Sequence, residues 1–519
     1  MRLATLLACL LATFLAAPLD AARTPLAPPN DLGSRLESAA RKSGLPKGTI
    51  SLFVKDADTG DVLASIEPDQ PMKPASNMKL FSTGAALMTL GEEFLFRTRL
   101  LRDGDRLTVV GDGDPAFGDP ELLSKMSWTA QNGEVKSGLS ATALVDLWVD
   151  AVVATGMTKV SELVIDARIF DNEGFPPNWP REQYSNGYCA EVWGLNFHAN
   201  VIHVIPAPRN GGAPEIASMS PAMPWLVKRN KATSRTGSKE RHTFTVVREP
   251  NSNELTLGGN AKVQPRDAAE LTVHDSPTLF GEFLASRLAR AGVSVDRIRH
   301  ADAREAPSQG TLVGPMIQTP IGTVLQRANT DSSNLYAESL CKRIGAARTS
   351  SPGSWANGTA TVAESIRSRL GPNALNGFVI DDGSGLSAAN RVTARALCEW
   401  IISFANDPKF GPLFLESMAQ AGVSGTVQKR YKDLAESDIR VYCKTGYIRG
   451  TSCLSGIVIA PDGRRIAFSI LGNSLEQGDR VARAKSLQDT IVHALHDALS
   501  APTRASLRPI GGTRGAVGG

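Results

Sequence analysis

Ser76 and Lys79 stand three residues apart in Ser76-Asn77-Met78-Lys79, at the head of a run with apolar residues at helical spacing that Gly91 ends. Residues three apart share a helix face, so the pattern sets the lysine amine beside the serine hydroxyl. In a partly dry cleft the pKa of such a lysine falls, and its neutral form can take the serine proton, which is the start of nucleophilic catalysis. A serine in the first turn also keeps its own N–H free for an oxyanion. The same four-residue pattern recurs in Ser339-Leu340-Cys341-Lys342, inside a helical run, and reads there as coincidence.

A second group, Ser332-Ser333-Asn334, precedes the helix-like run LYAESLCKRI. A hydroxyl at a loop–helix junction can relay a proton to a leaving amine, and Asn334 can offer its amide to a substrate backbone. Taken alone, simple capping of that helix explains the serines as well or better. A third group, Lys444-Thr445-Gly446, closes the strand-like run IRVYC, where an ammonium and a hydroxyl can bind a carboxylate and a glycine lets substrate approach the strand edge. A rival triplet, Lys136-Ser137-Gly138, follows Asn132-Gly133 in a polar stretch without a neighbouring strand pattern and is set aside.

No one of these groups is decisive. Their combination, in this order and in these contexts, is the signature of penicillin-binding proteins and class A β-lactamases. The sequence resembles one family in particular, the class C low-molecular-mass penicillin-binding proteins, which are D-alanyl-D-alanine carboxypeptidases/endopeptidases. The interval from Ser76 to Ser332 is far longer than a class A β-lactamase places there, and that family is similar in carrying a large insertion at this point. Gly111-Asp112-Gly113-Asp114-Pro115, Gly194-Leu195-Asn196-Phe197 before Asn200, and Asp382-Gly383-Ser384-Gly385-Leu386-Ser387 add to the resemblance, which covers roughly residues 33 to 498.

The resemblance implies Ser76 as acylated nucleophile, Lys79 as its base and Ser332 as proton relay. It implies Asn334, Lys444 and Thr445 as substrate contacts, beside Gly446 at the strand edge, with the amides of Ser76 and Tyr447 as oxyanion hole. It also implies peptidoglycan stem peptides and cross-links as substrate, β-lactams as inhibitors, and no cofactor or metal. Two positions depart from the family pattern. Ser333 stands where aspartate is common, and Tyr447 replaces a smaller residue, so that its ring could narrow the cleft. Asp171 and Glu173 are candidates for contact with an amine on the substrate, although a solvated acidic loop is the better reading. Asp382-Gly383-Ser384-Gly385 reads first as a structural turn near the cleft.

Several elements must position these groups. Residues 49–67 read as a hairpin turning at Ala57-Asp58-Thr59-Gly60, and a helix pattern follows from Ser76 to Leu90. The runs IRVYCKTG, CLSGIVIAP and RRIAFSILG read as consecutive antiparallel strands, and an amphipathic helix over 482–499 ends the fold. The expected class is α/β (α+β): an antiparallel sheet flanked by helices, of penicillin-binding/β-lactamase type, interrupted by β-rich insertion. Boundaries fall at 33–96 and 275–499 for the enzyme domain and 97–274 for the insertion, with an inner module at about 200–262. A Gly/Arg/Pro-rich tail over 500–519 is expected to be disordered.

With 519 residues, two or three domains are expected. A net charge of +4 gives no reason to propose nucleic acid as a partner, while a mildly basic surface suits an anionic polymer such as cell wall. Arg2, an apolar run from Leu3 to Ala17, and the small residues Ala21-Ala22 read as a secretory leader over 1–22, which places the mature protein in the periplasm or outside the cell without a transmembrane anchor. Of six cysteines, Cys9 leaves with the leader, and Cys443 with Cys453 form either a disulfide across a turn or a pair of buried thiols. Among seven histidines only His493 and His496 are closely spaced, which argues against a metallopeptidase. The alternatives are a β-lactamase or esterase on the same fold, or a non-catalytic wall-binding protein.

Overall fold

The computed structural model describes residues 32–129 and 135–500. The expected leader lies outside these residues, as does the expected tail apart from Ser500.

A six-stranded antiparallel sheet forms the frame, in the order Ala419–Gln420, Arg440–Ile448, Thr451–Ile459, Arg465–Gly472, Ile50–Asp56, Val62–Ile66. The N-terminal hairpin therefore completes a sheet built from the far end of the chain, with Ile50 opposite Gly472 and Asp56 opposite Ile466. Asp56 Oδ1 accepts from the amides of Asp58 and Thr59 at 2.8 and 2.9 Å, which fixes the hairpin turn. Strand Thr451–Ile459 is buried along nearly its whole length. Both of its faces are covered, which is why CLSGIVIA reads as a continuous apolar run rather than an alternation.

On one face lie the first and last helices, Leu32–Lys42 and Arg480–Ser500, over a core that includes Leu36, Leu52, Phe468 and Leu495. On the other lie Met78–Leu90, Ile321–Asn329, Asn334–Thr349, Trp355–Leu370 and Ala394–Ala405, around Phe81, Tyr336, Leu340 and Trp400. Helix Met78–Leu90 sits against Ala394–Ala405 at Gly84, where an added Cβ would meet Trp400 and Phe404 ring carbons at 2.6–2.9 Å. Trp400 Nε1 also donates to Leu80 O at 2.8 Å. Gly84→Ala is expected to cost about 1–3 kcal/mol through forced repacking. Urea unfolding checks this, and an unchanged midpoint would contradict the tight crossing.

The insertion is not purely β. Strands Leu95–Asp103 and Arg106–Val110 are antiparallel, but Glu162–Asp166 and Ile298–His300 continue the sheet in parallel. A parallel neighbour is reached only through a crossover, and helix Ser276–Arg290 leads into Ile298–His300. That helix buries Phe280, Phe283, Leu284 and Leu288 in the insertion's own core with Leu107, Val109 and Leu163. The sequence boundaries assign residues 275–499 to the enzyme domain. The packing moves the return to strand Ile317–Pro320, which leads directly into helix Ile321–Asn329. Inside the insertion, two three-stranded sheets hold Val201–Ala207 and Leu255–Gly258 at their centres, and the inner module runs on to Thr272 rather than ending near 262.

All five described cysteines are free and buried. Cys443 is paired with Gly456 and Cys453 with Gly446, a three-residue offset on each strand. An odd offset puts the two thiols on opposite faces of the sheet, one in each core, so no disulfide joins them.

Candidate active site

Ser76 does not open the long helix directly. It lies in a tight turn, Ala75–Asn77, that feeds helix Met78–Leu90, and Ala75 before it takes a left-handed conformation (φ 45°). Three contacts hold the turn in place. Asn77 Nδ2 donates to Lys444 O at 3.2 Å, Gly446 lies so close that a Cβ would meet Pro74 O at 2.7 Å, and Gly385 packs on Ala75 O from the other side. A left-handed non-glycine residue persists only where its surroundings over-determine it, as they do here.

Lys79 is fully buried, and its Nζ reaches Ser76 Oγ at 3.0 Å, Asn334 Oδ1 at 2.6 Å and Ser384 O at 2.9 Å. Burial pulls its pKa from the ordinary lysine value down to about 7, against the opposing charges of Asp382 and Glu338. The amine is thus poised between its two protonation states near neutral pH. Lys444, also fully buried, donates to Ser332 Oγ at 2.8 Å and Thr445 O at 3.1 Å. Burial, then the charge of Lys79, holds its pKa well below the lysine range. Thr445 Oγ1 donates to Thr426 Oγ1 at 2.8 Å.

Ser332 is left-handed (φ 62°), and Ser333 occupies the capping position of helix Asn334–Thr349 without a side-chain cap bond. Simple capping therefore does not account for the serine pair. Arg327 secures the loop: its carbonyl accepts from Ser333 N at 3.1 Å and its guanidinium binds Asp331 at 2.7 Å, Asp119 at 3.0 Å and Glu121 at 2.6 Å. Tyr336 OH donates to the same Asp119 carboxylate. The segment carrying Ser332 is thereby tied to the insertion.

The motif residues come together in two pairs, Ser76 with Lys79 and Ser332 with Lys444, joined through Asn77 and Asn334. Tyr447 is 61% exposed, and Lys485 of the last helix lies 5.5 Å from its ring centre. Strand alternation turns that ring to the face opposite Lys444, toward the last helix, so it does not narrow the space beside Lys79.

Glu338 and Tyr188 escaped the sequence reading. Glu338, one helical turn beyond Asn334, is fully buried and accepts from Gly383 N at 3.0 Å, Ser384 N at 2.7 Å and Trp355 Nε1 at 2.8 Å. Burial, then the Asp382 charge, pushes its carboxyl pKa up. Asp382 accepts from Gly385 N, Ser387 N, Asn390 Nδ2 and Trp179 Nε1 at 2.7–2.8 Å. The Asp382–Ser387 segment is thus a structural turn, as read, and it also presents Ser384 O to Lys79. From the insertion, Tyr188 O accepts from Asn334 Nδ2 at 2.8 Å.

The other candidates fall elsewhere. Asp171 is already engaged by an amine of the chain itself: Lys342 Nζ donates to Asp171 Oδ1 at 2.7 Å and Glu173 O at 2.6 Å, and lies 3.9 Å over Trp355. Lys342 is thereby drawn away from Ser339, whose hydroxyl has no partner among the described residues, so the second serine–lysine pattern is indeed coincidental. Ser137 pairs with Ser127 in a small hairpin of the insertion. His493 and His496 turn to Asp433 and Ser437.

With this geometry, comparison with known proteins is direct. The model of the D-Ala-D-Ala carboxypeptidase 3 (S13) family matches residues 32–495. The chain belongs to this family. Its fold is that of a penicillin-binding, transpeptidase-like domain with inserted subdomains, and the chain is a serine-type DD-peptidase by this membership. Among its relatives, a D-alanyl-D-alanine carboxypeptidase of an Actinomadura species is 29% identical over 454 residues, covering 82% of this chain and 78% of the relative. D-alanyl-D-alanine carboxypeptidase DacB of Haemophilus influenzae is 23% identical, covering 85% and 89%. The crystal structure of penicillin binding protein 4 from H. influenzae superposes with a TM-score of 0.69 at 21% identity, over 89% of this chain and 99% of that one.

Proposed function

We propose that this serine-type D-alanyl-D-alanine carboxypeptidase/endopeptidase acts on peptidoglycan through an acyl-enzyme on Ser76. The observation that carries this reading is the 3.0 Å approach of a buried, readily deprotonated Lys79 to the Ser76 hydroxyl. In its neutral form Lys79 takes the hydroxyl proton as Ser76 Oγ attacks the D-alanyl carbonyl, and the amides of Ser76 and Tyr447 receive the oxyanion. Ser332 gives its hydroxyl proton to the departing amine and takes a replacement from Lys444, whose Nζ donates to it at 2.8 Å. Lys444 and Thr445 meet the terminal carboxylate at the edge opened by Gly446. Asn334, its oxygen held by Lys79, has a second N–H without a partner among the described residues, available to the peptide backbone. Water then releases the acyl group, and cross-link cleavage follows the same steps with a different leaving amine. β-Lactams acylate Ser76 as mimics of the substrate. The enzyme works outside the cytoplasm, where its substrate lies, and no helix among the described residues is long and apolar enough to cross a membrane.

The base must be neutral to act, so protonation below its pKa of about 7 removes activity. The acylation rate constant should fall about tenfold per pH unit on the acid side of that value and level off above it. Release of D-alanine from a peptide ending in D-Ala-D-Ala, followed from about pH 5 to about pH 9, tests this. A flat profile would remove Lys79 as the base.

A further inference from the structure

The charge of this protein is unevenly placed. Between residues 228 and 241 stand Lys228, Arg229, Lys231, Arg235, Lys239 and Arg241 against the single carboxylate Glu240, an excess larger than the net +4 of the entire chain. All six cations are exposed, and none lies within ion-pair distance of a carboxylate among the described residues. They belong to the inner module of the insertion, and none of the hydrogen bonds of the Ser76 centre described above involves them. Lys228 and Arg229 lie on strand Val227–Asn230, at the edge of the sheet Val227–Asn230, Leu255–Gly258, Thr245–Val247.

The remaining cations sit on a loop of fixed shape. Buried Asn260 ties its neck: Oδ1 accepts from Arg235 N at 2.7 Å, and Nδ2 donates to Arg235 O at 3.0 Å and Arg241 O at 2.9 Å. Thr243 N to Asn260 O at 2.8 Å closes the same neck. Lys262 crosses to the loop from the neighbouring segment, Nζ to Ser238 O at 3.3 Å. A cluster of like charge without close ion pairs raises the energy of the folded protein, although Lys228 also acts on the Glu282 carboxylate, and a built neck holds the loop cations together rather than letting them disperse. Between the cations stand Thr233, Thr236 and Ser238, with no large apolar side chain exposed from 228 to 241. A bilayer-seeking surface carries a belt of apolar anchors beside its cations; the loop carries hydroxyls there, and Val263 beside Lys262 is a lone exposed apolar residue rather than a belt.

We propose that the inner module docks a linear polyanion with a phosphodiester backbone, of the kind found in envelope polymers, on the basic face formed by residues 228–241 and Lys262. Such docking would hold the enzyme at its insoluble substrate without touching the catalytic centre. Pre-organisation of the loop by Asn260 lowers the ordering cost of binding.

Binding of soluble poly(glycerol phosphate) to the full chain, measured by titration at several salt concentrations, tests the proposal. Displacing counterions at about five phosphates should weaken affinity about a hundredfold between about 50 and about 200 mM salt. The triple variant Arg235→Gln, Lys239→Gln, Arg241→Gln alters only exposed side chains. It is expected to bind at least ~10-fold more weakly, with a shallower salt slope, while benzylpenicillin acylates Ser76 at the wild-type rate. Asn260→Ala keeps every cation and should weaken binding severalfold, and unchanged binding by that variant would remove the claim of a pre-organised loop. Wild-type protein that ignores the polymer, or a triple variant that binds it equally well, would overturn the proposal. So would preferential binding to phosphatidylglycerol vesicles, which would assign the face to a membrane surface instead.

Discussion

Replacing Lys79 by methionine is expected to lower kcat/KM by about 10³–10⁴-fold while leaving the protein folded. The side chain donates to three acceptors in a closed space, so its removal takes away the proton acceptor for Ser76 and the group that orients Asn334. Stability should change much less than activity. Losing a buried amine relieves its desolvation, which offsets the two acceptors, Asn334 Oδ1 and Ser384 O, left without a donor. Lys79→Arg separates chemistry from shape, because a guanidinium keeps its proton at any working pH and cannot act as the base. It should be nearly as inactive as the methionine variant. Steady-state kinetics and thermal unfolding of both proteins check this. An arginine variant retaining more than about a tenth of wild-type kcat/KM would mean that Lys79 positions rather than deprotonates.

The second large effect lies in a residue that does not touch substrate. Asp382→Ala should destabilise the protein by about 3–5 kcal/mol and reduce activity with it. Its carboxylate gathers two backbone amides, Asn390 Nδ2 and Trp179 Nε1, and alanine leaves all four donors without their acceptor. The turn they define sets Ser384 O against Lys79, and the Trp179 bond ties the insertion to it. Asp382→Asn should be only partly better, since an amide NH₂ faces donors where an oxygen is required. Urea unfolding reads the stability, and a loss below about 1 kcal/mol would show that the turn stands without its carboxylate.

The sequence made part of this centre legible because its chemistry depends on side-chain type at short spacing. Ser76 with Lys79 needs only one helical turn, and the other two motifs gained meaning from order and context. Two other groups around Lys79 were hidden for a different reason. Ser384 contributes a backbone carbonyl, which any residue could supply. Glu338 has the composition of a surface helix residue, and only the fold buries it against Gly383, Ser384 and Trp355. Helix Ser276–Arg290 shows a limit of the same kind, since an amphipathic pattern gives the apolar face but not the core that receives it. The cysteines add one more. A turn between two strands suggested that Cys443 could reach Cys453, but register parity decides which face each thiol occupies, and register is a property of the sheet.

Intact-mass analysis after exposure to benzylpenicillin, with Ser76→Ala alongside, tests the central claim most directly. The account predicts a long-lived adduct of one drug mass on the wild-type protein and none on the variant. Rapid hydrolysis of the drug without an adduct would contradict it in favour of a β-lactamase, and neither adduct nor hydrolysis would remove Ser76 as a working nucleophile.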